Sequence, residues 1–570
     1  MYYSHLGEFF GFENLYQVSG SYEYTKVSLF NFFGPLFAVF LGFKIIKKET
    51  LVIQNPVLLI SISLILIFST YFASIPFVSL FGSVEKGHGM FFFFNLILLY
   101  ITLSNINRNN VKKIFSGFIV ILSFVCIYGI YEYFFPSFDY GSLSNRLVSS
   151  LGHPNYVGAV LLVLIPYSCE NILTKLKYKY KNIIFGILFI LGVFTLILTK
   201  SALAIFLIFT YFLYKFLLYF CNNYNVIQNN FHSIVFGNII LIILLGILLL
   251  SFYAPEKFSS FISRYYIWET SFKIIFSDIK IFFLGVGPEN MKLYFDIFKS
   301  PELYLYENIG FTADRTHNIF LQFWVDFGIL GFLFICSVYY RFYKFVLSTQ
   351  EKIKKYNWMI YSGISLSIFY LIHPISITGY ISVILLFTLY LKDSTKNIPQ
   401  KYSTNIFFIG LIILSFISSY FVIHGYKAEI SAKQNDYEKS LFLFPFYETY
   451  YYHNADIQGA LKINNGYKTE GYFLENIYTG KNILIDCDRL TKNYASVENY
   501  FYCGQIIDSL GHSGTAIQYY KTGIQKFPDV WNPDSKYLQN FPGKYIIQTE
   551  RILHPKYSNI QEILKKLDLQ

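Results

Sequence analysis

His317 and Asn318 are followed, after nine residues, by Gly328-Ile-Leu-Gly331, and Asp314 and Arg315 stand just before them. The spacing H-N-x9-G-x-x-G therefore brings an imidazole and a guanidinium to the start of an apolar stretch. A histidine changes protonation near neutral pH, so it suits taking the proton of a hydroxyl nucleophile or hydrogen-bonding an oxygen in flight. The structural alternative is that His317 and Asn318 cap the following helix. Gly328 and Gly331 favour close helix packing over substrate contact. Three further polar stretches interrupt the apolar pattern. Phe81 to Met90 carries three glycines with Glu85, Lys86 and His88. Asn145 to Asn155 contains Arg146 and ends Gly152-His153-Pro154-Asn155, where Pro154 fits a first helical turn and His153 or Asn155 suits a cap. Arg264-Tyr-Tyr-Ile-Trp268 is followed by Gly285-Val-Gly287-Pro288-Glu289-Asn290. A guanidinium offers a planar fork that matches phosphate oxygens, although Arg146 would equally serve as an interface anchor. The Tyr265, Tyr266 and Trp268 cluster fits an interfacial aromatic belt or sugar stacking.

The elements that position these residues are membrane helices. Hydrophobic residues make up 54% of the chain and charged ones 14%, against about 25% charged in a soluble domain. Apolar runs near the length needed to cross about 30 Å of hydrocarbon predict about twelve spans. Their cores lie at 27–46, 56–76, 90–104, 114–134, 155–173, 183–198, 201–221, 233–253, 319–340, 358–373, 376–391 and 405–425. Backbone groups must be paired within lipid, so the expected class is all-α. The domains expected are an interfacial segment 1–26, a polytopic membrane domain 27–425 with a long outer loop 254–318, and a soluble helical domain 426–570.

A net charge of +11 would suggest nucleic acid in a soluble protein. Here the cations fall in alternate loops: Lys44, Lys47 and Lys48; Arg108, Lys112 and Lys113; Lys175, Lys177, Lys179 and Lys181; Arg341, Lys344, Lys352, Lys354 and Lys355. The positive-inside rule makes these loops cytoplasmic and puts 77–89, 135–154, 254–318 and the tail outside; only 222–232 casts no charge vote. A polybasic patch for anionic lipid is the alternative. No nucleic-acid partner is expected. The N-terminus lacks the charged region and cleavage site of a removable signal peptide. No metal-ligand spacing appears, and no metal or cofactor is expected.

After Lys427 the composition turns soluble, and Tyr500 to Pro528 fits one tetratricopeptide unit through Gly504, Ala516, Tyr520 and Pro528, with a weaker echo at Tyr437, Ser440 and Pro445. A protein-binding role or simple packing on the membrane domain are both open. Cys487 and Cys503 lie in this tail, where an oxidising compartment allows one disulfide; spacing does not show that they meet.

In order along residues 80 to 335, the Gly-Ser-Val-Glu-Lys-Gly-His-Gly stretch, Gly152-His-Pro-Asn155, Arg264 with Trp268, Gly285-Val-Gly-Pro-Glu289 and Asp314-Arg-Thr-His-Asn318 resemble the O-antigen ligase and polymerase superfamily. The tetratricopeptide-like tail is similar to that of a common subgroup. The resemblance implies a metal-independent glycosyltransferase in the inner membrane of a bacterium. It takes a glycan from undecaprenyl diphosphate and joins it, outside, to a hydroxyl of a glycan, lipid-core or protein acceptor. By position, His317 activates the acceptor and Arg264 and Arg315 contact the diphosphate or transition state, with Arg146, His153, Asn155, Glu289 and Asn318 as binding candidates. The family pattern Thr-x-Ser-Arg is replaced here by Thr199-Lys200-Ser201-Ala202; Lys200 supplies a point charge but not the fork. Ligase, polymerase and protein oligosaccharyltransferase share this donor. A transporter would instead need charges at midplane depth, for which Asp326 and His373 are the nearest candidates.

Overall fold

A computed structural model describes residues 22–47, 51, 56–83, 86–136, 145–173, 179–223, 255–300, 303, 306–307, 312–348, 353–394, 405–446, 450–451, 454, 483–493 and 497–526. The expected span at 233–253, Glu85, residues 1–21 and the turn at 222–232 beyond Asn223 lie outside them. The described residues are helical, without a strand.

The membrane domain comprises α1 (Tyr22–Ile46), α2 (Pro56–Tyr71), α3 (Pro76–Phe81), α4 (Met90–Asn105), α5 (Arg108–Phe134), α6 (Pro154–Leu173), α7 (Lys179–Thr199) and α8 (Ala202–Asn223). It continues through α9 (Pro255–Ile275), α10 (Ile279–Leu284), α11 (Met291–Phe298), α12 (Ile319–Ser348), α13 (Ile353–Phe369), α14 (Ile377–Ser394) and α15 (Asn405–Lys433). Among the described residues, six stretches are long and apolar enough to cross a membrane: 23–46, 108–134, 154–173, 182–199, 319–344 and 408–432. Five shorter apolar helices accompany them. One buried cluster joins α1, α2, α4 to α8 and α12 to α15, with α6 at its centre: Ala159 to Ile165 are all at most 1% exposed. α6 thus reads as apolar all round because neighbours cover it on every side.

The segment expected to be a long outer loop, 254–318, is instead largely helical. α9, α10 and α11 enclose a second core of Ile267, Ile274, Ile281, Val286, Met291 and Phe295, closed by Leu321 and Val325 of α12. Asp278 starts α10 by accepting the Lys280 amide, a local cap that a count of prolines and polar residues does not reveal. Similarly, residues 22–26, assigned from sequence to an interfacial segment, form the first turn of α1, with Glu23 buried.

The span expected at 319–340 is not a straight rod. At Gly328 the backbone leaves the helix (φ 66°, ψ −166°). The rings of Phe320 and Tyr339 lie 4.7 Å apart, and those of Trp324 and Phe332 also 4.7 Å. In a continuous helix, 1.5 Å per residue would put residues 320 and 339 nearly 30 Å apart. The chain therefore reverses. A short arm, 319–327, climbs from Tyr370, whose carbonyl accepts the Ile319 amide, to Phe283 beside Gly328. The long arm then passes back along it and continues to Phe342, which packs on Gly363 of α13. Gly328 is thus the hinge of a hairpin as well as a close contact. A Cβ there would sit 2.1 Å from the Phe283 carbonyl oxygen, in a backbone region open essentially to glycine alone. Gly328→Ala is expected to lower the aggregation temperature of the detergent-solubilised protein by several degrees and to reduce its membrane abundance; wild-type values for both would show that the hairpin does not need this glycine.

Hydrogen bonds gather one end of the bundle. Glu23 meets His88 and Ile377, Arg146 meets Thr199 and Asn155, Asn155 meets His373, and Arg315 meets Ile375. Lys44, Lys47, Arg108, Lys112, Lys113, Arg341 and Lys344 stand at the opposite ends of their helices. α15 returns to the gathered end, where α16 (Tyr437–Leu443) folds back and Phe446 packs against Phe77, Phe81 and Phe421. In the tail, α17 (Ile483–Asn493) is linked by the Cys487–Cys503 disulfide to α18 (Val497–Ser509), which pairs with α19 (Ser513–Lys526) through Gly504 under the Tyr520 ring.

Candidate functional site

Each polar stretch singled out in the sequence ends at the gathered face. The Asp314–Asn318 loop is held from several sides. Arg315, 5% exposed, donates from Nη1 to the Ile375 carbonyl at 2.7 Å and from Nη2 to Glu289 at 3.1 Å, with His88 Nδ1 2.7 Å from Nη2. His88 Nε2 lies 3.2 Å from Glu23, which also accepts the Ile377 amide at 2.5 Å and pairs with Lys26. Ser83 donates to the other Glu289 oxygen at 2.5 Å, and Lys86 pairs with Asp314. Burial works against the Arg315 charge, but Glu289 outweighs it and holds the guanidinium above its usual range. Burial likewise opposes the Glu289 charge, and Arg315, His88 and Lys86 reverse that, so its carboxyl titrates lower than usual. Arg315 and Glu289 therefore form a framework across five segments. Arg315, expected at the diphosphate, has Nη1 and Nη2 committed to protein, and Glu289, expected at a substrate, is its counter-ion.

Asn318, expected to bind substrate, is the cap of α12: its Oδ1 accepts the amides of Phe320 at 2.9 Å and Leu321 at 3.2 Å. His317 does not cap. It holds a left-handed backbone (φ 56°), and its Nδ1 is enclosed without a hydrogen-bond partner. Such a conformation in a non-glycine residue costs about 1–3 kcal/mol and persists only where the surroundings over-determine it. Burial, then the fields of Arg264 and Lys86, push the ring's pKa down to about 3, so the free histidine is a neutral base across the physiological range.

A second group assembles beside it. His153 caps α6 through Nδ1, which accepts the Asn155 amide at 3.1 Å, freeing the Asn155 side chain. Asn155 Oδ1 accepts from Arg146 at 3.3 Å and from Ser201 at 3.0 Å, and its Nδ2 lies 3.2 Å from His373 Nδ1. Arg146 Nε donates to the Thr199 carbonyl at 3.0 Å. Lys200 itself is exposed on a left-handed turn (φ 50°); its neighbours Thr199 and Ser201 make the contacts. Arg264, on α9, binds Ser260 through Nη1, and its Nε is buried without a partner. Its field, after burial, depresses His317 and His373, and after burial and Arg146 it also depresses His153, to about 4. The site is thus a cationic basin of Arg264, Arg146 and Lys86 with three uncharged imidazoles.

His317, His373, Arg315, Glu289, Gln322, Asp326 and Tyr380 line a small polar cavity of about 20 Å³, room for about one water. It shares Phe93, Ile319, Phe323, Ile375 and Tyr380 with an apolar cavity of about 270 Å³ among α2, α4, α12, α13 and α14. Sequence reasoning missed Glu23 and Gln322, and it set His373 and Asp326 aside as transporter candidates. An acidic residue in the first turn of a membrane helix, which demands a partner, was the available signal for Glu23. Gln322 and Asp326 are four apart on one helix face, the spacing at which side chains meet.

No curated protein and no solved structure matches the chain. Residues 187–336, about a quarter of the chain, match the family model described as O-antigen ligase. That stretch carries Arg264, Glu289, Arg315, His317 and the Gly328 hinge of α12, while Arg146, His153, Asn155 and His373 lie outside it.

Proposed function

We propose that the chain is a membrane glycosyltransferase that moves a glycan from undecaprenyl diphosphate to an acceptor hydroxyl on the outer face, in the manner of O-antigen ligases. The observation that carries the reading is the shared wall between an apolar cavity and a polar one lined by His317, close enough to Arg264 and Lys86 for their charge to act on that ring. A lipid-linked diphosphate needs both environments within a few ångströms: apolar walls for part of the isoprenoid and arginines for the two phosphates. Oxygen-rich anions suit a guanidinium fork. In the transfer, the bond from the sugar's anomeric carbon to the phosphate oxygen breaks, and the diphosphate keeps the electron pair. The acceptor oxygen bonds to that carbon and its proton passes to His317. Arg264 and Arg146 stabilise the charge that grows on the leaving group. The face assignment rests on the cationic helix ends lying opposite the site. Protein association through the tail's helical hairpin belongs to the same reading.

Diphosphate binding also changes the base. Burial does most to hold His317 unprotonated, and the cations that add to it are those the phosphates would neutralise, so occupancy raises its affinity for a proton at the moment one must be accepted. Initial-rate kcat/KM, which reports the free enzyme, is therefore expected to show no acid limb from His317 near pH 6.5. The group is neutral above its depressed pKa, so its limb lies near that value, about 3. A limb near 6.5 that vanishes in His317→Gln would contradict this arrangement.

The test of function is glycan profiling of a deletion strain complemented with the wild-type gene, separating core-linked, protein-linked and undecaprenyl-linked pools. Loss of core-linked glycan with accumulation of full-length lipid-linked chains in the deletion supports the ligase. Accumulation of single repeat units points to the polymerase, and loss of protein-linked glycan to an oligosaccharyltransferase. Three unchanged pools would overturn the proposal.

A further inference from the structure

The left-handed backbone of His317 requires something to hold it, and the polar cavity shows what does. Thr316, fully buried, donates its amide to Gln322 Oε1 at 2.9 Å. Gln322 Nε2 in turn donates to Asp326 Oδ2 at 2.9 Å. The Thr316 hydroxyl meanwhile donates to the Asn318 carbonyl at 2.7 Å and accepts the Asn318 amide at 3.2 Å. His317 is thus suspended between two residues whose amides are both fixed. Only one of those fixings depends on a side chain outside the loop.

A glutamine amide has an accepting and a donating end of nearly equal shape, and the Thr316 N–H can use only the accepting one, so the orientation is firm when the other end also has a partner. The carboxyl oxygen of Asp326 accepts, which draws the NH₂ end to itself and turns the carbonyl end toward the Thr316 amide. If Gln322 turned over, a buried N–H would face an NH₂ group. The Thr316 donor would then lack a partner, a cost comparable with the strain in His317. Asp326 also has a firm seat. Its carbonyl accepts the Gly287 amide at 3.1 Å and the Ser69 hydroxyl at 2.6 Å, two residues before the Gly328 hinge. Its Oδ1 is enclosed without a partner. The carboxyl group is therefore carried on the rigid end of the short arm and reaches the loop through one intermediary.

We propose that Asp326 is a positioning residue which, through Gln322, sets the orientation of His317. The proposal rests on the reading of His317 as the group that meets the acceptor hydroxyl, and it adds the relay from Asp326 through Gln322 to Thr316. The transporter alternative gave Asp326 a charge-carrying role. Its bonding to Gln322, and through Gln322 to Thr316, gives it a geometric one.

The test uses full-length protein in membranes, with two readouts. The first is glycan transfer as a split between kcat and donor KM. The second is carbethoxylation of His317 by diethyl pyrocarbonate, followed by peptide mass spectrometry, which needs no turnover. Asp326→Leu and Gln322→Leu are each expected to lower kcat by about 10²-fold, the scale of a misplacement near 1 Å, with donor KM unchanged, and to change the His317 labelling rate several-fold. The double variant should lose no more than either single one, because both break the same relay. Asp326→Asn keeps an accepting oxygen and is expected to retain most activity and the wild-type labelling rate. Equal losses in Asp326→Asn and Asp326→Leu would overturn the positioning role in favour of direct proton chemistry at Asp326. Wild-type labelling and kcat in both leucine variants would overturn the relay altogether. Altered labelling with unchanged transfer would leave the relay standing and remove His317 from the reaction, which separates failure of the functional reading from failure of this one.

Discussion

His317→Ala protein is expected to reach the membrane at wild-type abundance and to transfer glycan at a rate lower by about 10²- to 10⁴-fold, the range supplied by a positioned general base. Abundance should hold because the imidazole makes no hydrogen bond among the described residues and Nδ1 lies enclosed without a partner. Asn318, Thr316 and Gln322 supply the loop's bonding. Alanine at φ 56° bears the same backbone strain as histidine, so the substitution removes the ring and little else. Measured transfer from purified lipid-linked donor, normalised to protein in the membrane, decides the matter. A wild-type rate would exclude His317 from the chemistry and leave its strained backbone without a function.

Arg264→Lys is expected to cut kcat/KM for the lipid-linked donor by about 10- to 100-fold, equivalent to one hydrogen bond to a charged group, about 1.5–3 kcal/mol. Lysine preserves the charge, so the long-range field at His153, His317 and His373 changes little. What it lacks is the fork whose Nε is buried and unpaired here while Nη1 is tied to Ser260. Loss in the lysine variant thus reports geometry rather than charge. Full activity would mean that Arg264 anchors α9 at the interface and touches no phosphate. The contrast with Arg315 is instructive: an arginine with buried counter-ions and a carbonyl already in hand is costly to disturb, so loss of activity in an Arg315 variant would not distinguish catalysis from folding.

Much of this was legible from residue types. Arg146, His153, Asn155, Arg264, His317 and Arg315 were each picked out because polar groups beside apolar runs need a reason, and the structure brings them to one face. Their division of labour was not legible. Whether an arginine is open to a ligand or tied to Glu289 depends on partners distant in sequence, and a single chain gives no sign of them. The hairpin at Gly328 was hidden for a related reason. Apolar residues on both arms satisfy a helical pattern across the break, and an isolated glycine inside such a pattern reads equally as packing or as a turn. The helices of 255–298 were obscured because their small separate core is interleaved with exposed charged residues such as Lys273, Asp278 and Lys280, which dilutes the apolar period expected of a membrane span.

The bond between Glu23 and the Ile377 amide joins residues 354 positions apart, and His88, Glu289 and Arg315 fill in between. During synthesis, then, α1 enters the bilayer with Glu23 accompanied only by Lys26 of its own first turn, and its amide partner arrives only when α14 emerges from the ribosome. Until that moment Glu23 lacks its amide and Arg315 the Ile375 carbonyl. A chain terminated before residue 375 would therefore lack both the carbonyl that Arg315 holds and the amide that Glu23 accepts.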